Sequence, residues 1–131
     1  MDTIDITKAV TRTILFRGKT DGAWVAGDLE LCRIRNAAFI HTYTRDGKYA
    51  TQYKVDPATI GQFTGLTDKN GVQLFEGDIF HIGDRLLTYT VIWEDCGLKG
   101  KQNGSSCRIG LEYWKNAITI VGNVYDNPEM I

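Results

Sequence analysis

Gly61-Gln62-Phe63-Thr64-Gly65-Leu66-Thr67-Asp68-Lys69-Asn70-Gly71-Val72-Gln73-Leu74-Phe75-Glu76-Gly77-Asp78-Ile79 carries the strongest fold signal in the chain. It is dense in Gly, Asn and Asp, yet aromatic and aliphatic residues interrupt it at regular intervals. A flexible linker has no such anchors, so the mixture predicts tight turns clamped onto a small β-core. The end of the chain, Val121-Gly122-Asn123-Val124-Tyr125-Asp126-Asn127-Pro128-Glu129-Met130, has the same character.

Turn dipeptides recur along the whole chain. Asp21-Gly22, Asp46-Gly47, Asn70-Gly71 and Asn103-Gly104 are favoured hairpin pairs, because Gly tolerates a positive φ and Asn or Asp tolerates it better than other residues. Gly83-Asp84 adds a fifth candidate with Gly first. Between these turns Leu87, Tyr89, Val91 and Trp93 alternate with Thr88, Thr90 and Ile92, a period of two. Ile109, Leu111 and Tyr113 alternate in the same way, and 118–124 is β-branched. Upstream, 13–16, 23–31, 38–43 and 49–55 read as strands. The first ten residues form a short helix or stay loose. Asp56-Pro57 starts a single helical turn, with Asp as cap and Pro at the first position. The expected fold class is mostly β: a β-meander or two small packed β-subdomains, 13–64 and 76–131, the second compatible with an SH3-like barrel.

The chain has 131 residues, 43% of them hydrophobic, enough for one domain with a core. Fifteen Lys and Arg face sixteen Asp and Glu, a formal net charge of -1. That balance argues against a dominant nucleic-acid binder, which usually carries a basic surplus. The nearest basic cluster is Lys99, Lys101 and Arg108, read as a solvated, glycine-broken loop. The start has no basic n-region or apolar h-region, so no signal peptide is expected. No apolar run approaches the ~18 residues of a membrane span. Three cysteines at irregular spacing, Cys32, Cys96 and Cys107, fit a reducing cytosol.

The two glycine-rich segments together resemble the YopX family of small phage and prophage proteins. The family pattern of an aromatic followed by Thr-Gly-Leu, Asp-Lys-Asn-Gly and Glu-Gly-Asp stands here as Phe63, Thr64-Gly65-Leu66, Asp68-Lys69-Asn70-Gly71 and Glu76-Gly77-Asp78. Its ending stands as 121–130. Weaker similarity covers Leu15–Lys19, Asp21–Val25 and Val55-Asp56-Pro57, and little covers 1–12. The stretch 95–107 looks like a variable insertion. The resemblance implies one YopX-like domain over 1–131, phage or prophage origin and a bacterial cytoplasm. It brings no catalytic residue and no cofactor.

The candidate residues are weighed against their plainer roles. Glu76, Asp78, Asp68, Asp126 and Glu129 are the motif carboxylates; beside glycines they are expected to cap turns, as are Gly65, Asn70, Gly71, Gly77, Gly122, Asn127 and Pro128. The competing role is acid–base or hydrolytic chemistry by a carboxylate pair. Glu76 and Asp78 fall on one face of a strand, a weak signal for a shared cation. His41 and His81 lie in apolar runs, and with the cysteines they make no zinc-ligand spacing. Ser105 and Ser106 lack a nucleophile elbow. Most aromatics are assigned to packing; Trp114, next to Lys115-Asn116, is the expected surface exception. The reading is a non-catalytic β-module that binds a phage or host protein or another copy of itself. The unprotected edge for such pairing is expected at 87–93. A nucleic-acid-binding barrel using Trp114, Lys99, Lys101 and Arg108 is the first alternative, and a hydrolase the second.

Overall fold

The computed structural model describes residues 3–131; Met1 and Asp2, part of the segment expected to be helical or loose, lie outside it. A single helical turn, α1 (Ile6–Ala9), opens the described chain. Strands β1 (Phe16–Thr20), β2 (Ala23–Cys32), β3 (Ala37–Tyr43), β4 (Ala50–Val55), β5 (Gly61–Thr67) and β6 (Gln73–Phe75) form one antiparallel sheet in the order β4-β3-β2-β1-β5-β6. Strands β7 (Asp78–His81), β8 (Tyr89–Glu94), β9 (Gly97–Gln102), β10 (Arg108–Ile109) and β11 (Thr119–Asn123) form the other, in the order β10-β9-β8-β7-β11. The protein is mostly β, as two packed antiparallel sheets. The second sheet ends at β10 and β11, which do not pair with each other, so the SH3-like barrel expected there is instead an open sheet.

The first sheet is the more curled. β2 pairs with β1 through 23–27 and with β3 through 28–32, so it turns a corner at Gly27. A Cβ on Gly27 would stand 2.1 Å from the carbonyl oxygen of His41, an approach that only glycine permits. The curl brings the end of β4 back over β1: the Asp56 N–H donates to the Lys19 carbonyl at 2.9 Å. Ala38, Ile40 and Val55 fill the inside, flanked by Phe16, Val25 and Leu29. The expected turn at Asp56-Pro57 is there, with the Asp56 carboxylate accepting from the Ala58 N–H at 3.0 Å.

The second core is built by Leu74, Phe80, Tyr89, Val91, Leu111 and Ile118, with Leu66 and Trp114 packed against it. Leu66 and Leu74 come from β5 and β6, so the two sheets share this core.

Four turns match their dipeptides; in the Asp46-Gly47 turn between β3 and β4, Gly47 has a φ of 73° and its N–H donates to the Thr44 carbonyl at 2.9 Å. Asp21 and Gly22 both have positive φ, 49° and 80°, as a two-residue hairpin turn needs. Gly71 and Gly104 have φ of 82° and 81°. Asn70-Gly71 closes a longer turn, in which the Gly71 N–H donates to the Asp68 carbonyl at 3.0 Å and Asp68 N–H to Val72 at 2.7 Å. Gly83-Asp84 does not form a two-residue hairpin, although Gly83 has a φ of 122°. The β7–β8 connection runs from 82 to 88, with the buried His81 ring accepting the Gly83 N–H at 3.1 Å. The stretch 95–107 holds β9 and its hairpin turn at Asp95-Cys96, where Asp95 has a φ of 57°. The alternation at 109–113 is strand only to Ile109; beyond it the chain runs in successive turns.

Candidate functional site

Where the sheets meet, the two glycine-rich segments converge on Arg17 of β1. Its guanidinium pairs with Asp78 at 2.8 Å, both side chains nearly buried. The same guanidinium lies 4.5 Å from the Trp24 ring and 4.9 Å from the Phe75 ring, and it reaches the Glu76 carbonyl at 3.5 Å. Arg17 Nε is buried without a hydrogen-bond partner, so those ring faces supply the compensation there. Burial pushes the Asp78 carboxyl above its ordinary range, against the opposing pull of Arg17 and of the Phe75 N–H, which donates to it at 2.7 Å.

The tail closes over this pair. Val124 N–H donates to the Gly77 carbonyl at 2.9 Å, and Gly77 N–H to Val91 at 2.8 Å. Tyr125 packs on Trp24 with ring centroids 5.8 Å apart. The Asp126 carboxylate accepts from Lys19 Nζ, from Trp24 Nε1 at 2.9 Å and from Asn123 Nδ2 at 3.0 Å, which holds its pKa far below the carboxylate range. Asn127 Oδ1 accepts the Asn123 N–H at 3.2 Å and sits where a Cβ on Gly122 would fall. Pro128 starts the last helical turn.

Asp68 does the same for the β5–β6 hairpin. Its oxygens accept the N–H groups of Asn70 and Val72, both at 2.9 Å, and of Ile120 at 3.2 Å, tying the hairpin to β11. Burial raises its pKa, but the N–H donors of Val72, Ile120 and Asn70, with Lys69, outweigh it and lower it. Glu76 is half-buried and accepts from the Gln62 N–H at 3.4 Å. Gly65 has a φ of 88° and open space around it. Asp68, Glu76, Asp78 and Asp126 each bind backbone N–H groups or cations, while Glu129 is exposed in the last helical turn. Among the described residues no group of three or more His, Cys, Asp or Glu gathers to hold a metal ion.

The basic cluster stands elsewhere and in another form. Lys99 and Lys101 are on β9 and Arg108 on β10, not in a loop. Arg108 binds Glu94 through two nitrogens, at 3.1 and 2.9 Å, and Lys99 lies 3.9 Å from Glu94 and 3.5 Å from Asp95. Lys101 Nζ donates to the Ser105 carbonyl at 3.0 Å. The hydrogen bond from Arg108 lowers the Glu94 pKa and raises that of Arg108. Cross-strand carboxylates therefore neutralise much of the cluster.

Trp114 is half-buried against the second core, with Tyr113 edge-on to it at 5.0 Å. The exposed tryptophan is Trp93, at 55%. It stands at the outer end of β8 on the wall of a groove of about 740 Å³. Gln62, Phe63 and Leu66 line the groove from the first sheet, Leu98 and Leu111 from the second core, and Arg12, Glu112 and Lys115 supply its charges. The expected pairing edge at 87–93 is covered in part: β8 lies between β9, which pairs with it over 89–94, and β7, which pairs with it at Tyr89 and Thr90.

Fold and site together define a two-sheet β-protein, knit by its glycine-rich segments around one arginine–aspartate pair, with an open groove between the sheets. The chain belongs to the YopX protein family, whose profile matches residues 15–131. Its fold is similar to that of the crystal structure of protein EF1440 from Enterococcus faecalis, with a TM-score of 0.55 and 20% identity. That likeness covers 92% of this chain and 99% of the other. A comparison with curated proteins returned no match. No helix among the described residues is long and apolar enough to cross a membrane.

Proposed function

We propose that the chain is a non-catalytic β-module that binds an extended segment of a phage or host protein in the groove between its sheets, in the bacterial cytoplasm. The observation that carries this reading is Trp93, a large amphipathic ring left 55% exposed on the wall of a groove that both sheets line. Clefts between packed units are common ligand sites, and Trp is enriched among residues that dominate binding energy. The groove also offers Arg12 and Lys115 on one side of the charge balance and Glu112 on the other, a polar rim around Leu98 and Leu111.

The rival readings draw less support. The acids Asp68, Asp78 and Asp126 already serve backbone N–H groups or cations, and Glu112 is the one carboxylate among the groove residues. The Lys99–Arg108 cluster is paired with Glu94.

Panning a random peptide library on the protein, then measuring each selected peptide on the protein and on Trp93→Ala, tests the proposal. Peptides are expected whose affinity falls at least tenfold on Trp93→Ala. Peptides that bind both forms alike would overturn it. So would an empty selection accompanied by a salt-sensitive shift of DNA or RNA at micromolar protein.

A further inference from the structure

The tip of the β2–β3 hairpin carries an unusual combination. Cys32 pairs with Ala37, so 33–36 form a four-residue loop, closed by the Asn36 N–H donating to the Arg33 carbonyl at 3.3 Å. Ile34 stands at its end, 99% exposed, between Arg33 and Arg35, and Leu31 is 65% exposed beside it. A second cavity of about 170 Å³ opens here, walled by Leu31, Cys32, Ala37, Ala38 and Pro57, with Arg33 at its rim. It lies on a different part of the first sheet from the Trp93 groove, with no lining residue in common.

Arg33 is the charged side chain that lines it. Arg33 forms no ion pair among the described residues. The Arg35 guanidinium lies 4.8 Å from the Phe39 ring, and Lys54 stands opposite Phe39 in register. Glu30 stands opposite Phe39 on its other side and accepts from His41 at 2.8 Å and Gln52 at 3.2 Å. Its pKa is lowered by them and by the Arg35 charge, so Arg35 already has a carboxylate near it; Asp56 caps Ala58.

We infer that this tip is a second docking site, for an acidic peptide segment that places one large aliphatic side chain in the cavity and a flanking carboxylate on Arg33. Size decides the anchor: an apolar cavity of ~150 Å³ accepts a benzene-sized group, so this one suits a single Leu, Ile or Met side chain. Charge decides the flanks, since Arg guanidinium binds carboxylate in a bidentate fork. A second copy of the chain is a poor occupant, because it would bring four arginines together. Nucleic acid is a poor one too: its affinity comes from many phosphate contacts, and the chain as a whole carries a charge of -1.

The probes are fluorescein-labelled peptides Glu-Asp-x-Asp-Glu, with x varied, titrated by fluorescence anisotropy. Peptides with x as Leu or Ile are expected to bind at least tenfold tighter than x as Ala. Arg33→Ala should weaken them at least tenfold, whereas Trp93→Ala should leave them unchanged, which separates this site from the groove. In a Cys96→Ser/Cys107→Ser protein the Leu peptide should slow alkylation of Cys32 by iodoacetamide. Equal affinity for Leu and Ala peptides, or no effect of Arg33→Ala, would overturn the inference. An Arg33-dependent shift of a DNA duplex at the same protein concentration, or an Ile34-dependent dimer in sedimentation equilibrium that the peptide leaves intact, would also overturn it.

Discussion

Gly77→Ala and Gly71→Ala, measured side by side, separate the cost of a left-handed backbone from the cost of crowding the tail. Both glycines have positive φ, 93° and 82°. Alanine in that region costs about 1 kcal/mol. At Gly71 a Cβ meets nothing within 4 Å, so the backbone effect is the whole effect. At Gly77 the Cβ would stand 3.1 Å from Cε2 of Tyr125 and 3.8 Å from Nη2 of Arg17. The Arg17 distance is an ordinary contact, whereas the Tyr125 ring, packed on Trp24 and 36% exposed, has to give by a few tenths of an ångström. Overpacking of that kind adds about 1–3 kcal/mol. Urea denaturation followed by tryptophan fluorescence should therefore give a loss of about 1 kcal/mol for Gly71→Ala and about 2–4 kcal/mol for Gly77→Ala. In a Tyr125→Ala background the ring is absent, and Gly77→Ala should fall to the cost of Gly71→Ala. Equal losses for the two single variants would refute the reasoning. So would a Gly77–Tyr125 coupling below about 0.5 kcal/mol in the double-mutant cycle.

Asp68→Asn removes one of the three N–H contacts that a carboxylate satisfies and an amide cannot, and should lose about 1–3 kcal/mol at neutral pH. Because the native pKa of Asp68 is lowered, its contribution is present above the ordinary Asp value and lost as pH falls through the native one; the variant should lose less stability on acidification than the parent. Asp78 acts in the opposite sense: its raised pKa gives a contribution fully present below the ordinary Asp value and lost as pH rises through the native one, so Asp78→Asn should not flatten the acid limb. Gly27→Ala should leave little soluble protein, since its Cβ would stand 2.1 Å from a backbone oxygen; a variant that melts with the parent would remove the corner assigned to β2. Deleting 125–131 should lower the thermal midpoint by removing Asp126 from Lys19 and Trp24, and an unchanged midpoint would count against a docked tail.

Local signals in the sequence carried well to local structure. Asp21-Gly22 and Asp56-Pro57 specify their turns with their own atoms, and β2, β3 and β4 show strand composition within a residue or two of their bounds. β9 was invisible for a physical reason: Gly-Leu-Lys-Gly-Lys-Gln has neither β-branched residues nor a clear apolar face. Its Gly100 is needed because a Cβ would stand 2.8 Å from Ile109 and 3.0 Å from Phe80, a constraint set by partners distant in sequence. The alternation at 87–93 misled as to exposure. Tyr89, Thr90 and Val91 are all buried because β8 is central, and Trp93 is exposed because its end of the strand runs past the core. Arg17 with Asp78, and Arg108 with Glu94, join residues far apart in the chain, and no spacing rule announces such pairs. Trp114 drew attention by its polar neighbours, whereas the groove belongs to Trp93 because β5 and β9 flank it there.

The most direct measurement is an amide and indole chemical-shift map of the isotope-labelled protein, titrated with a peptide selected on the parent protein alone. The account predicts that the Trp93 indole N–H and the amides of 62–66, Leu98 and 110–112 shift together, while those of Arg17, 76–78 and 124–127 stay in place. Shifts centred on Arg17, Asp78 and the tail, with Trp93 unmoved, would contradict it, because the glycine-rich segments would then be the binding surface rather than the scaffold behind it.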